Sequence, residues 1–557
     1  YWAKHDRLDK EPNELLDDPE CIGGALFIKK SKIKDTDNHV YLYRFDEQNF
    51  KLKESDTAYD ITSELSFGKI TRIDEIKDEE NYIELTITGK RIAKVGEPPK
   101  LFDFGPDRII NSHPIPDALN KFILNCADGD KSKFKCGLDI IKKDYPDLKK
   151  IKKGDHIIND KNDLVEESIE VVKKMNSSYL LIQGPPGSGK TYTSAKIILS
   201  LLKDNKRVGI TSNSHKAINN LLKQIEKFAL EENFTFKGMK KSSKDEDKLK
   251  GEIIEDVSGR MKEFPSEYLL HAGTAWLFSD PRWTSKMDYL FVDEAGQVSL
   301  ANTLAISTST KNIILIGDQM QLSQPIQGIH SGNSGKSTLD FLLGDYDTIP
   351  LSRGIFLGVT RRLNEKICKY ISSSFYESRL KSHPITKERS VSLELKEIKN
   401  EGIFYLPVDH QDCTQKSDEE AKIIKDYCSK ILGKNYTEDK KKKKITIDDI
   451  MMVAPFNMQV NNLKKILNKK EARIGTIDKF QGQESKIVFI SMTSSDPENL
   501  PRHKEFFFSR NRLNVAISRA QCVAIILFNP KLLLADCQKT NEIRLINNFC
   551  KLLKYEI

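Results

Sequence analysis

The chain has 557 residues, 38% of them hydrophobic and 31% charged, and carries a formal net charge of +8 at pH 7. That length is too great for one compact core and predicts three or four domains. No apolar run approaches the roughly 18 residues a membrane-spanning helix needs. The nine cysteines show neither C-x-x-C spacing nor companion histidines, which argues against a zinc site or a disulfide framework. A soluble, cytoplasmic protein with reduced thiols is expected. The modest positive charge permits a nucleic-acid partner without requiring one.

The chain opens at Tyr1 with no signal-peptide pattern, and is read as part of something longer. Residues 1–22, with Leu8, Leu15 and Leu16 as apolar positions, predict a helical connector. Residues 23–100 alternate in short runs (GALFIKKSKI, HVYLYRF, SFGKITRI, YIELTIT) between Asp, Asn and Gly clusters, the pattern of a small β-barrel. Lys29, Lys30, Lys32 and Lys34 cluster there. They offer a basic surface to a nucleic-acid backbone or, as is commoner, form the solvated face of a strand. Residues 101–154 read as a helical stalk or linker.

Residues 155–350 alternate buried strands with helices, which argues for a parallel sheet with crossovers. Their charged stretch near 230–265 reads as an inserted, mobile segment, and Gly335, Lys336 and Ser337 imitate a phosphate loop without a strand before them. Residues 351–557 repeat the α/β pattern in GIFYLPV, IMMVAPF, ARIGTID, SKIVFISM and CVAIILF. The lysine run after Asp439 reads as a solvated loop.

The chemistry concentrates first in QGPPGSGKT, Gln183 to Thr191, which closes an apolar strand and opens an amphipathic helix. Its spacing is that of a P-loop: backbone N–H groups and a helix N-terminus surround a phosphate chain, and glycines permit the tight turn and close approach. Lys190 would reach the β- and γ-phosphates and Thr191 would help hold Mg²⁺. In VDEAGQ, Asp293 would bind the same ion and Glu294 would act as general base toward water. Gln321 in GDQMQL can touch the γ-phosphate or the attacking water. Arg362 and Arg519, far along the chain, carry permanent charges suited to a transferring phosphoryl group; either could equally be a routine surface arginine.

The ordered set QGPPGSGKT, VDEAGQ, GDQMQL, TRRL with FYESRL behind it, VAPFNMQ, DKFQGQES and LNVAISRAQ resembles superfamily 1 helicases. Within them it is similar to the 5′ to 3′ branch of nonsense-mediated-decay and senataxin-like helicases. Finer likeness in WAKHDRL, ECIGG, SNSHKAINNLL and FFFSRNRLNVAISRAQ is to the helicase part of bacterial RecB-like nuclease-helicase fusions, the nuclease then lying before Tyr1.

The resemblance implies an α/β fold of two RecA-like P-loop domains, 155–350 and 351–557, with ATP and Mg²⁺ between them and a single nucleic-acid strand across their top. It implies a nucleotide set of Gly184, Pro185, Pro186, Gly187, Ser188, Gly189, Lys190, Thr191, Tyr192 and Glu484. Strand contacts fall to Ser214, Thr274 and Thr476. Phe456 either stacks on a base or packs beneath its strand. Asp478, Gln481, Gly482 and Glu484 would couple strand, nucleotide and closure.

The departures from the family pattern are Glu166 and Glu167 where an adenine-reading glutamine is usual, Arg361 in place of an aromatic, and His215 in place of asparagine. ATP against other nucleotides, and DNA against RNA, stay open, with the nuclease likeness favouring DNA. An ATP-dependent helicase or translocase is expected, the alternative being an ATP-gated clamp that does not unwind.

Overall fold

The computed structural model describes residues 6–10, 12–48, 50–74, 81–106, 112–130, 132–158, 163–259, 261–324, 332–469, 471–480, 482–498, 500, 507–537 and 539–553. Gln481 lies outside them. By internal contacts the chain forms two compact units. One comprises Asn111–Arg362 with Ile371–His383; the other comprises Tyr1–Ile110, Leu363–Tyr370 and Pro384–Ile557.

In the second of these, six strands close an antiparallel barrel in the order β1-β2-β5-β4-β3-β6: β1 Ile22–Lys32, β2 Asn38–Phe45, β3 Thr57–Asp60, β4 Leu65–Asp74, β5 Asn81–Thr88 and β6 Leu101–Gly105. Alternation drives it. Along β5, Ile83, Leu85 and Ile87 point into a core shared with Tyr41, Tyr43, Phe102 and Phe104. Closure leaves no unpaired edge to attract another chain. Before the barrel the expected helical connector is reduced to short pieces such as Pro12–Leu15.

The barrel groups with the second α/β domain. Asn457 donates its backbone N–H to Asp17 Oδ1 (2.9 Å) and its side-chain amide to the carbonyl of Leu16 (2.7 Å). Glu47 pairs with Lys464 on the same helix, Asn457–Leu467.

The other unit is built on an eight-stranded, all-parallel sheet in the order β10-β9-β11-β8-β12-β13-β7-β14. Its strands are β7 Tyr179–Gln183, β8 Val208–Thr211, β9 Gly238–Lys241, β10 Ile254–Val257, β11 Leu270–Ala272, β12 Met287–Val292, β13 Thr310–Gly317 and β14 Gly354–Phe356. Both faces are covered. Leu180 and Ile182 pack toward helices Lys190–Lys203 and His215–Glu231. Tyr179 and Leu181 pack toward the opposite face with Phe122, Ile140 and Leu304. Helices Ile115–Ala127 and Lys135–Lys142, expected as a stalk, therefore contribute to this core.

Two sequence expectations are corrected here, and a third is given its structural place. The charged stretch is not a mobile insertion: β9 and β10 extend the sheet within it. Its fully buried Lys240 donates to Ser242 Oγ (2.9 Å) and to the Asp247 carbonyl. High charge hid the strands because the ammonium is satisfied internally. The boundary at 350 also moves. β14 pairs with β7, so the first sheet takes a strand beyond it, one too short to show a periodic signal. And Ser337, in the P-loop look-alike, is the N-cap of helix Thr338–Leu343, accepting from the Asp340 N–H (3.1 Å).

A two-stranded pair, β15 Val359–Thr360 and β16 Lys381–Ser382, follows. The second α/β domain carries a five-stranded parallel sheet in the order β18-β24-β23-β21-β22, with a small antiparallel sheet β17-β19-β20 beside it in the chain. These are β17 Ser390–Ser392, β18 Gly402–Pro407, β19 Asn435–Glu438, β20 Lys441–Lys444, β21 Ile450–Ala454, β22 Arg473–Thr476, β23 Ser485–Ser491 and β24 Ala520–Phe528. The lysine run is thus the outer strand of a hairpin and not a loop, with all four residues of β20 exposed. Buried Glu420 fixes the end of β23 by accepting from Ser491 Oγ, from the Thr493 N–H (3.0 Å) and from His410 Nε2 (3.2 Å).

The edge strand β10 hangs on one carboxylate. Glu226 Oε1, on helix His215–Glu231, accepts from the N–H groups of Ile253 (2.9 Å) and Ile254 (2.8 Å). Glu226→Ala strands both amides and should destabilise this unit by about 2–4 kcal/mol in chemical denaturation, whereas Glu226→Gln keeps an acceptor and should recover most of the loss.

Candidate nucleotide site

The parallel register brings the ends of four strands to one edge of the first sheet. Gln183 on β7 lies opposite Gly317 on β13, and Val292 on β12 lies between Leu315 on β13 and Thr211 on β8. The loops that leave these ends carry the candidate residues, at the carboxyl edge where open α/β sheets bind ligands. The P-loop is tied to its neighbour at once, Gly184 N–H donating to the Gly317 carbonyl (2.9 Å).

Two glycines of the loop are obligatory on this geometry. A Cβ at Gly184 would stand 2.2 Å from Lys190 Cγ, and one at Gly187, where φ is +71°, would stand 2.4 Å from Arg362 Cβ. The helix Lys190–Lys203 begins after Gly189, which is left-handed at φ 85°, so its first N–H groups face the loop. The Lys190 ammonium is held by the loop itself, donating to the Gly184 carbonyl (2.6 Å). Thr191 is exposed at the helix start. Tyr192, also exposed, packs edge-to-face on Phe228 with ring centroids 5.2 Å apart.

Beyond β12, Asp293 accepts from the Glu294 N–H (3.0 Å), and Glu294 itself takes a left-handed conformation at φ 53° that turns the chain into Ala295–Gln297. Burial pushes the Asp293 carboxyl up to about 7; the Glu294 charge adds to this, and the Lys190 ammonium opposes it. A carboxyl so placed gains most from a cation brought beside it. Among the described residues no cluster of three or more His, Cys, Asp or Glu forms a metal cage. Thr191 and Asp293 are the oxygen donors the sequence offered for a cation, and Mg²⁺ at such a pair would need phosphate and water oxygens for its remaining ligands.

Past β13 stands a group that motif reading passed over. Asp318 is buried, and burial raises its carboxyl above the ordinary range against the pull of Lys190, Tyr376 and Gln321. Its Oδ2 accepts from Tyr376 Oη (2.7 Å) and from Gln321 Nε2 (2.8 Å), its Oδ1 from the Met320 N–H (3.2 Å) and Gln183 Nε2 (3.4 Å). Gln321 is thus held by a carboxylate that also binds a distant tyrosine. An acid directly after a strand end was the available signal for Asp318; nothing in FYESRL singled out its tyrosine as a partner.

Arg362 belongs to this same unit, which corrects its assignment to a second domain beginning at 351. Arg361 donates its N–H to the Gly187 carbonyl (2.9 Å), and Thr360 Oγ1 donates to the Pro186 carbonyl (2.9 Å). The TRRL segment is laid on the P-loop by its own backbone. That contact is non-local and left no trace in sequence spacing.

The remaining candidates lie in the other unit. Arg519 is buried, donating from Nη1 to the Gln483 carbonyl (3.1 Å). Glu484 Oε1 accepts from Gln521 Nε2 (2.6 Å), and Asp478 Oδ2 accepts from Arg512 Nη1 (3.2 Å). Thr476 ends β22 and is buried. Phe456 is fully buried, so of its two readings the packing one holds and base stacking is corrected. In the P-loop unit, Ser214 is exposed and Thr274 half-buried, each at the start of a helix.

Two family models, each described as an AAA domain, match residues 168–326 and 346–531. The DNA polymerase alpha-associated DNA helicase A of Schizosaccharomyces pombe is 25% identical over 412 residues, covering 61% of this chain and 59% of that protein. The DNA replication ATP-dependent helicase/nuclease DNA2 of Xenopus laevis is 24% identical over 570 residues, 92% of this chain and 52% of its own. The ATP-dependent helicase NAM7 of Saccharomyces cerevisiae is 26% identical over 400 residues, 63% of this chain and 40% of its own. The chain thus spans only about 60% or less of the length of these curated relatives.

Burial, with the Glu294 charge beside it, holds the Asp293 carboxyl up at about 7, against 3.8 for the free side chain. The native state therefore holds a proton that the unfolded state has lost, and stability falls as pH rises through that window. Asp293→Asn cannot ionise. Its melting temperature should gain on the wild type progressively from pH 4 to about 7 and stay ahead above it.

Proposed function

From a chain that belongs to the superfamily 1 helicases of the NAM7 and DNA2 type, we propose an ATP-driven motor that translocates 5′ to 3′ along single-stranded nucleic acid, DNA in preference to RNA, and separates duplexes ahead of it. The observation that carries the reading is the common strand edge, where the P-loop, Asp293, Glu294 and the Asp318-held Gln321 follow directly from paired strands.

On this reading the P-loop amides and Lys190 cradle the phosphates, the ammonium exchanging the Gly184 carbonyl for phosphate oxygens. Thr191 and Asp293 hold Mg²⁺, which when bound neutralises charge on the phosphates. Glu294 takes the proton of the attacking water and Gln321 orients it. Arg362, already on the loop, meets the charge that develops on the transferring group, the role the family resemblance also gives Arg519. Loss of that group frees Gln321 to return to Asp318, a local change of the kind that reopens such motors. Ser214, Thr274 and Thr476 contact the strand. A nuclease domain accompanying this motor is part of the proposal, from the helicase/nuclease names of several relatives.

Lys190→Ala should bring nucleic-acid-stimulated ATP hydrolysis down to background. On duplexes with 5′ or 3′ tails of DNA or RNA, displacement is expected with the 5′ tail only and fastest on DNA. Stimulated hydrolysis retained in Lys190→Ala would overturn the P-loop assignment. Hydrolysis without displacement on any tail would overturn the helicase in favour of an ATP-gated clamp.

A further inference from the structure

The described surface beside Ser214 and Thr274 holds an aromatic residue that no motif named. β11 lies between β8 and β9, with Ala272 opposite Ile210 on one side and Lys240 on the other. The loops that follow Thr211, Lys241 and Ala272 therefore leave the same edge of the sheet side by side, about 5 Å apart at the strand ends.

From the first of these loops comes Ser214, exposed, whose hydroxyl does not cap the helix it begins. From the third comes Thr274, whose hydroxyl likewise makes no capping bond. The turn Ala275–Ser279 buries Ala275, Leu277, Phe278 and Ser279 and directs Trp276 outward, 42% exposed. Trp283, seven residues on, is fully buried.

We propose that Trp276 is a base-stacking platform for the single strand whose backbone Ser214 and Thr274 contact, a proposal that rests on the nucleic-acid reading above. An indole offers a large π-face that any base can cover, so the contact is indifferent to sequence, as a translocating motor requires. It fills the role for which the sequence offered Phe456, which is buried.

The charge around it suits a polyanion. Lys241 ends β9 and lies beside Gly273, where a Cβ would stand 3.4 Å from Lys241 Cβ. Burial, and then the charge of Arg282 in the turn Pro281–Trp283, hold the Lys241 amine below its ordinary value. The Lys241 ammonium donates to the Gly259 carbonyl and Arg282 is paired to Asp280, so both cations are held in place at this edge, where a phosphate chain passing nearby would meet them. A protein partner would also use an exposed tryptophan, and the test separates the two.

The experiment uses the full chain and two labelled 12-nucleotide strands, oligo-dT and its abasic counterpart, with binding followed by fluorescence anisotropy. Trp276→Ala should weaken oligo-dT about 5- to 100-fold and the abasic strand less than about twofold. Trp276→Phe should keep most of the oligo-dT affinity, while the quenching of intrinsic fluorescence by oligo-dT disappears. An unchanged melting temperature shows that the variants fold.

Equal losses on both strands, or no loss on either, would overturn the stacking role. Failure of the wild type to bind either strand would instead overturn the nucleic-acid reading on which it rests.

Discussion

The pairing of β13 on β7 is the contact on which the site depends. Each strand is an unremarkable apolar run; what matters is that their parallel register ends level, Gln183 opposite Gly317, and that the next amide, Gly184, continues the ladder into the loop. A slip by one residue would exchange the two buried faces of β7, which the separate cores on either side of the sheet forbid. Core packing thus sets the position of groups that take no part in the core.

Around that edge, charge is concentrated under burial. Lys190 faces Asp293 and Asp318, both of which burial holds in favour of their neutral forms. The loop satisfies the ammonium with its own carbonyl, and Asp318 gathers hydroxyl, amide and backbone donors. Such a site is internally satisfied but exchangeable. On the proposed reading, a polyphosphate and its cation would take over such bonds, so that binding would replace contacts without opening voids.

Much of this was legible in the sequence where chemistry is local. Gly184 to Thr191, Asp293 and Gln321 are named by spacing along one stretch of chain, and the barrel by its alternation. The losses came from contacts that spacing does not record. Arg362 follows too short a strand, β14, for its attachment to the P-loop sheet to be visible, and Tyr376 reaches Asp318 across 58 residues. β9 and β10 looked like solvated charge because Lys240, polar in sequence, is satisfied inside the sheet edge, which Glu226 supports from the neighbouring helix. Phe456, offered for stacking, is buried, and Trp276, which no motif named, is exposed, for a simpler reason: pattern does not say which aromatic residue a fold turns outward.

The hairpin β19–β20 bears on how the protein behaves in bulk. β20 is the end strand of its small sheet, so one side of its backbone offers unmatched donors and acceptors to any extended segment that approaches. Lys441 to Lys444 stand along that edge, all exposed. A second copy docking there would set lysine against lysine along the edge, a repulsion that opposes the ladder bonds gained, although Lys443 is paired with Glu438. The Debye length shrinks from about 10 Å at 0.1 M salt to about 3 Å at 1 M. The same lysines, which oppose association at this edge in dilute buffer, therefore lose their reach in concentrated salt.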